Sequence, residues 1–207
     1  MEFASLIFFF LVIIPSSIIH EYMHGAVANY FGDPTAKYAG RLTLNPLAHI
    51  DLWGTILMPL VLFLGSGGKF VFAYAKPVPV NPLFLRGGRM SGILVAAAGP
   101  LSNFACAAVL GALMRVLPES AFTGILGLIV YANILLGVFN LVPIPPLDGS
   151  KVLFPFLPRS FDGVKEALER YGFIVLILFI FGAGFRWLLP IIFYIFRIFT
   201  GVESPFQ

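Results

Sequence analysis

Two histidines and a glutamate form the pattern with the clearest chemical meaning in this sequence. The stretch HEYMH at residues 20–24 places His20 and His24 four residues apart, so on a helix both imidazoles share one face and can reach one metal ion. Glu21 lies beside them and could take a proton from a water that the metal activates. The motif ends a lipid-compatible run, where three ionisable groups are costly unless they have a task. The spacing therefore predicts a hydrolytic metal site at the end of an apolar helix.

Two histidines do not complete a catalytic zinc site, which normally has three protein ligands and a water. The sequence offers Asp148, His49, Asp51 and Asp33 as candidates for the third ligand. Asp148 is favoured because a lone carboxylate at the end of an apolar helix costs several kcal/mol unless it is paired or ligated. The prolines before it and the glycine after it unwind the backbone, so its side chain can turn inward. For His49 and Asp51, a polar loop cap near the membrane surface is the favoured interpretation.

The composition places the chain in a lipid bilayer. Its 207 residues are 59% hydrophobic and 11% charged, with a mean hydropathy of +0.95, whereas a soluble domain carries roughly a quarter charged residues. The formal net charge of +3 is too small to indicate nucleic acid and fits basic loops facing an anionic inner leaflet. The first segment has no basic start, so it is not expected to be a cleavable signal peptide.

The apolar runs predict an all-α polytopic membrane protein with about four to six membrane helices, built as a single membrane-embedded domain over residues 1–207. The number of helices within residues 173–199 stays open, because the run there reads either as two short helices or as one helix with a broken partner. The expected parts are the histidine-bearing helix at 1–31, a mixed region at 32–90, core helices at 91–117 and 121–148, and C-terminal helices at 149–207.

The mixed region carries two shorter expectations. Lys37–Leu44 alternates and is closed by an Asn-Pro pair, which predicts one strand or a small β-hairpin, and that strand offers an edge to which an extended substrate could add. Leu52–Leu64 is apolar but interrupted by Gly54 and Pro59, and it is shorter than the roughly 20 residues that a span needs. It predicts a re-entrant segment after the first helix.

The metal ligands must meet at one depth, and this requirement predicts the topology. His20 and His24 lie toward the exit of the first span, and Asp148 lies just past the exit of the span that ends near Leu141. These two exits must therefore face the same side, and the loops on that side hold most of the lysines and arginines, which marks it as cytoplasmic. We expect an extracytoplasmic amino terminus and a catalytic centre toward the cytoplasmic side.

Four stretches together resemble the site-2 proteases, intramembrane zinc metalloproteases that cut transmembrane segments of other proteins. The resemblance implies that His20, His24 and Asp148 bind one Zn²⁺ per chain and that Glu21 is the general base. It also implies that Asn103 and Asn140 contact substrate backbone or the developing oxyanion, although both could instead join helices by hydrogen bonds. The four stretches are HEYMH at 20–24, NPLAHID at 45–51, AGPLSN at 98–103 and NLVPIPPLDG at 140–149.

The resemblance further implies binding partners and a cellular location. The substrate would be a transmembrane protein, cut in the lipid bilayer of a prokaryotic inner or plasma membrane, with no role for nucleic acid. The PDZ module and the nucleotide-sensing CBS domain of many family members have no counterpart here, which predicts a minimal form that is unregulated or controlled by a separate protein. The alternatives are a membrane zinc transporter and a non-catalytic relative that holds a partner membrane protein.

Overall fold

The structure, a computed structural model, describes residues 3–65, 67 and 76–204, with the side chains of all of these except residues 3–10 and 56. Helices account for every regular element in these ranges, and no β-strand occurs among them. In chain order they are α1 (Phe3–Tyr30), α2 (Thr35–Tyr38), α3 (Met58–Gly65), α4 (Gly88–Met114), α5 (Ala121–Asn140), α6 (Asp148–Leu153), α7 (Asp162–Phe181) and α8 (Gly184–Thr200).

The long helix α4 is the centre of the fold. It packs against both α1 and α5, which also contact each other, and the short helix α6, which begins at Asp148, lies against it. Helix α5 begins at a capping box, in which Ser120 accepts the Thr123 N–H and Thr123 accepts the Ser120 N–H, so two otherwise unpaired donors are satisfied at its start. Helix α8 closes the bundle against α5 and α4.

Among the residues that the structure describes with their side chains, two helices, α4 and α5, are long and apolar enough to cross a membrane. A third span is possible if α7 and α8, which are bent by 69° at their break, are counted as one. The expected four to six membrane helices are therefore not supported by the residues that the structure describes. The open question at residues 173–199 resolves as two helices joined by a sharp bend at residues 182–183.

Residues 37–44 do not form the strand or β-hairpin that their alternation predicted. Helix α2 occupies the first two of them, and Gly40, with a φ of +65°, ends that turn. The Arg41 N–H then donates to Ala36 O at 2.9 Å, which is a typical helix-ending hydrogen bond. Tyr38 is 83% exposed and Leu44 is 58% exposed, so the apolar alternation does not mark one buried face. The prediction was wrong because local turn chemistry outweighed the pattern, and the proposed substrate edge is absent with it.

The apolar segment after the first loop is helical and short. A wide turn at Leu52–Leu57 continues into α3, and the Asp51 carboxylate accepts the Gly54 N–H at 2.7 Å. This bond confirms Asp51 as a loop cap. The combined segment Leu52–Gly65 falls below the length of a span, as expected for a re-entrant segment, and the re-entrant course itself stays a prediction.

Candidate metal centre

Three potential ligand atoms from distant parts of the sequence meet at one point. His20 and His24 lie four residues apart on α1, and Asp148 is the first residue of α6. The Asp148 Oδ2 atom is 3.1 Å from His20 Nε2 and 3.0 Å from His24 Nε2, and the two Nε2 atoms are 3.1 Å apart. All three residues are buried. In the described residues this is the one cluster of three ligand-type side chains close enough to share a metal ion.

Hydrogen bonds at the other ring nitrogen fix the tautomer of each histidine. His24 Nδ1 lies 2.7 Å from Val95 O, and His20 Nδ1 lies 2.7 Å from Asn103 Oδ1. Both partners are oxygen acceptors, so each Nδ1 carries the proton and donates it. In the neutral form, each imidazole then turns the lone pair of Nε2 toward Asp148, which is the arrangement that metal-binding histidines adopt.

The orientation of Asn103 is set by a second group of buried polar side chains. Its Nδ2 donates to Ser16 O at 3.2 Å and to Asn133 Oδ1 at 3.0 Å. Asn133 Nδ2 donates in turn to Ser16 Oγ at 3.0 Å and to Ile129 O at 2.9 Å. Because the two backbone carbonyls can only accept, they fix which end of each amide is the donor. We call Ser16, Asn103 and Asn133 the polar cluster.

The donor set fits a zinc ion. Two neutral imidazoles and one carboxylate are a common zinc ligand set, and bonds of about 2.0–2.1 Å in a tetrahedral site hold neighbouring ligand atoms about 3.3 Å apart. The observed separations of 3.0–3.1 Å are close to that value. Three lone pairs that point at one another also repel unless a proton or a metal ion lies between them.

Gly99 of α4 leaves the space that such an ion needs. A Cβ built at this position would lie 2.5 Å from His20 Nε2 and closer still to His24 Nε2. Any other residue would therefore push a methyl group into the point where the ligand atoms converge. The side of α4 that faces the histidines is thus open only because its residue there has no side chain.

Glu21 lies beside the ligand cluster and faces the same cleft. Its Oε2 accepts the Val78 N–H at 2.8 Å, and its side chain is half-buried. The cleft has a volume of about 1480 Å³ and is lined by all three metal ligands, Glu21 and mostly apolar residues of α4, α5, α7 and α8. A carboxylate next to a metal at the wall of such a cleft is placed to exchange protons with a bound reactant.

Asp148 is held on both of its oxygens. While Oδ2 faces the imidazoles, Oδ1 lies 3.3 Å from Lys151 Nζ, one turn further along α6. Gly149 allows this helix start to approach the chain closely, because a Cβ there would collide with the carbonyl group of Leu141. The sequence predicted a turn here that points the Asp148 side chain inward, and the structure contains it. The turn depends on the close contact between Gly149 and the Leu141 carbonyl group.

The other candidates for a third ligand lie elsewhere. His49 is 2% exposed, with Nε2 placed 2.8 Å from Thr43 O, and it is not part of the ligand cluster. Asp33 is fully buried and accepts the Asn81 N–H at 2.6 Å and the Thr35 N–H at 3.0 Å. Burial raises the pKa of Asp33, but the hydrogen bonds from Thr35 and Asn81 outweigh it and hold the pKa below its ordinary value.

The two asparagines singled out from the sequence occupy different places. Asn103 is fully buried behind His20, so its amide supports a metal ligand. Asn140, the last residue of α5, lines the cleft with its Nδ2 donating to Leu136 O at 3.0 Å. Ser16 and Asn133 were not singled out, although polar side chains inside apolar helices were a usable signal.

Comparison with known proteins gives one consistent answer. The profile of Peptidase family M50 matches residues 115–182. The chain is 39% identical over 194 residues to the putative zinc metalloprotease YwhC of Bacillus subtilis, covering 88% of this chain and 84% of that protein. It is 30% identical to the putative zinc metalloprotease Rip2 of Mycolicibacterium smegmatis, covering 91% and 72%. It is 31% identical to the putative zinc metalloprotease MJ0611 of Methanocaldococcus jannaschii, covering 73% of each. No solved structure matches the chain significantly.

Proposed function

Because the chain belongs to peptidase family M50, we propose that it is a zinc metalloendopeptidase of the site-2 protease type. It hydrolyses peptide bonds in or near the transmembrane segments of other membrane proteins. The convergence of His20, His24 and Asp148 beside Glu21, at the wall of a largely apolar cleft, is the main support for this proposal. The zinc metalloprotease names of the relatives agree with it.

The roles of the site residues follow from their positions. His20 Nε2, His24 Nε2 and Asp148 Oδ2 would hold one Zn²⁺, and Gly99 leaves room for it. Zinc in such a site supplies Lewis acidity, which makes a bound water acidic near neutral pH and polarises a peptide carbonyl. Glu21 accepts the proton of the attacking water on its carboxylate and delivers it to the nitrogen of the departing amine. Asn103 holds His20 in the ligating tautomer.

The cleft suits a transmembrane substrate that has locally unwound. A helix shields its own carbonyls by internal hydrogen bonds, so the substrate must open before a peptide carbonyl can approach the site. The apolar walls of the cleft match the side chains that such a segment carries. Asn140 lines this space, and we assign it the contact with substrate backbone or oxyanion that the resemblance implied.

The proposed placement in the membrane adds one span to those found among the described residues. In addition to α4 and α5, helix α1 crosses the bilayer, because its 28 residues are enough for a span and its first half is apolar in sequence. The amino terminus is then extracytoplasmic and the site lies toward the cytoplasmic side of a prokaryotic inner or plasma membrane. The partners that this placement implies are the lipid bilayer and the transmembrane substrate.

Cleavage of a transmembrane peptide by purified protein tests the proposal. Wild type and Glu21→Gln are compared in detergent micelles, with the zinc content of each measured in parallel. Glu21→Gln removes only the proton acceptor, so kcat should fall by about 10²–10⁴-fold while zinc stays bound. Glu119→Gln, which removes an exposed carboxylate from the loop before α5, is the matched control and should cleave like wild type.

This experiment, together with a zinc-uptake assay in vesicles, gives a different result for each alternative class. A zinc-loaded Glu21→Gln variant that cleaves as well as wild type would rule out the assigned mechanism. Zinc binding without cleavage by wild type would favour a non-catalytic relative. Zinc uptake into vesicles that contain the wild-type protein, without cleavage, would favour a transporter.

A further inference from the structure

The irregular segment at residues 76–80 bears directly on Glu21. In the stretch Pro77-Val78-Pro79, Val78 has the sole backbone N–H, because proline has none. That N–H donates to Glu21 Oε2 at 2.8 Å. The orientation of the general base therefore depends on where this single peptide unit lies.

A buried arginine holds the other end of the same peptide unit. Arg41 is 9% exposed, and its Nη2 donates to Pro77 O at 3.4 Å and to Lys76 O at 2.8 Å. Its Nη1 donates to Ala48 O. The Pro77 carbonyl and the Val78 N–H belong to one planar peptide, so the guanidinium and the Glu21 carboxylate bind opposite sides of it.

The ends of this segment are anchored without Arg41. The Lys76 N–H donates to His49 O at 2.9 Å, and the Asn81 N–H donates to Asp33 Oδ2 at 2.6 Å. Arg41 is thus the side chain that reaches the peptide between these anchors. In the described part of the chain no carboxylate lies within ion-pair distance of Arg41. Burying a cation that is bonded only to carbonyls costs free energy, and this cost suggests that Arg41 has a specific function.

We propose that Arg41 is a positioning residue for Glu21, acting through the Pro77–Val78 peptide. A cation on the Pro77 carbonyl polarises the peptide and strengthens Val78 N–H as a donor, because hydrogen bonds in a chain reinforce one another. It also fixes the plane of that peptide, and with it the direction in which the Glu21 carboxylate points. This role rests on the proposed function of Glu21 as general base.

The kinetic test compares Arg41→Gln with Lys37→Gln in zinc-loaded protein. Lys37 is an exposed lysine of the short helix α2, four residues before Arg41, so its variant removes the same charge without touching the peptide. Misplacing a catalytic group by about 1 Å can cost about 10²-fold, and we expect kcat of Arg41→Gln to fall by about 10- to 100-fold. KM and zinc content should match those of Lys37→Gln, and Arg41→Lys should recover part of the lost kcat.

A second readout needs neither metal nor substrate. In the metal-free protein with isotope-labelled valine, the amide proton of Val78 should resonate downfield because it is bonded to a carboxylate. It should move upfield in Arg41→Gln and in Glu21→Gln, and it should stay in place in Lys37→Gln. An unchanged Val78 resonance in Arg41→Gln would overturn the proposal.

Three further outcomes for Arg41→Gln would overturn the proposal. The first is a raised KM at unchanged kcat, which would make the segment a substrate-binding element. The second is a loss of zinc, and the third is no change in kcat, KM or zinc content.

If Arg41→Gln does not fold, the variants Val78→Pro and Val78→Ala are compared instead, since both lose side-chain packing and only the first loses the N–H. Val78→Pro should then have the lower kcat, and equal kcat values would refute the link. An active Glu21→Gln would instead refute the proposed function itself.

Discussion

The two halves of the buried interior are held together by different forces. The polar cluster Ser16, Asn103 and Asn133 joins α1, α4 and α5 through directed hydrogen bonds that end at His20. The apolar cluster joins α5, α7 and α8 through side-chain packing around Ile134, Ile192 and Phe196, all fully buried. Directed bonds fix angles, whereas packing fixes volumes, so the first half should control metal binding and the second half should control stability.

The largest expected effect lies in the apolar cluster. Phe196→Ala removes a fully buried ring from α8, and such truncations cost about 3–5 kcal/mol of unfolding free energy. Unfolding in a denaturing detergent titration measures this loss, with Phe122→Ala, at a 58% exposed position, as the control. The folded fraction should still bind zinc with wild-type affinity, and a large drop in that affinity would show that the two halves are not separable.

Gly99→Ala should give the reverse pattern. The added methyl group enters the point where the ligand atoms converge, and overpacking of this kind costs 1–3 kcal/mol or more. We expect zinc affinity to fall by about 100-fold or more. Gly92→Ala on the same helix, where a Cβ meets nothing within 4 Å, should bind zinc normally. Equal affinities for the two variants would mean that no ion sits against Gly99.

Asn103→Ala tests the connection between the polar cluster and the ligands. Without the Asn103 acceptor, His20 Nδ1 loses the bond that fixes its tautomer, and losing such a support lowers metal affinity by about 10- to 100-fold. Competition with a zinc chelator measures the change, and Asn29→Ala, on an exposed position of α1, is the control. An unaltered zinc affinity in Asn103→Ala would mean that the polar cluster only joins the helices and does not support metal binding.

The smallest expected effect is a pH dependence at the loop after α1. The folded-state pKa of Asp33 lies below its ordinary value, so its carboxylate stabilises the fold above the ordinary value of about 3.9. That contribution is lost as the pH falls through the lower folded-state pKa. Asp33→Asn should therefore lower the unfolding free energy by about 1–3 kcal/mol at pH 7, and the difference from wild type should shrink in strong acid. A difference that is constant with pH would contradict this.

The sequence was sufficient for the parts of the fold that follow long patterns. The bounds of α1 and α4 lie within a few residues of the predicted 1–31 and 91–117, whereas α5 ends at Asn140, eight residues before the predicted end at 148. The approach of Asp148 to the histidines could also be anticipated, because a carboxylate at that position needs a partner. These features depend on composition and on spacing within one element.

Features that depend on pairing between distant residues could not be read from the sequence. Asn103 bonds to His20 and to Ser16 across 83 and 87 positions, and nothing local selects those partners over a substrate. Arg41 is one of the basic residues in the loops that the sequence assigns to the cytoplasmic side, yet it is buried against three carbonyls. The strand at Lys37–Leu44 was predicted from alternation, which the turn at Gly40 interrupts.

Zinc stoichiometry in three purified proteins tests the metal centre most directly. Elemental mass spectrometry of wild type, Asp148→Asn and Asp51→Asn compares the loss of one carboxylate at the ligand cluster with the same loss at a helix cap. We predict one zinc ion per chain in wild type and in Asp51→Asn, and a strongly reduced content in Asp148→Asn. Equal zinc in wild type and Asp148→Asn would contradict the assignment of Asp148 as the third ligand.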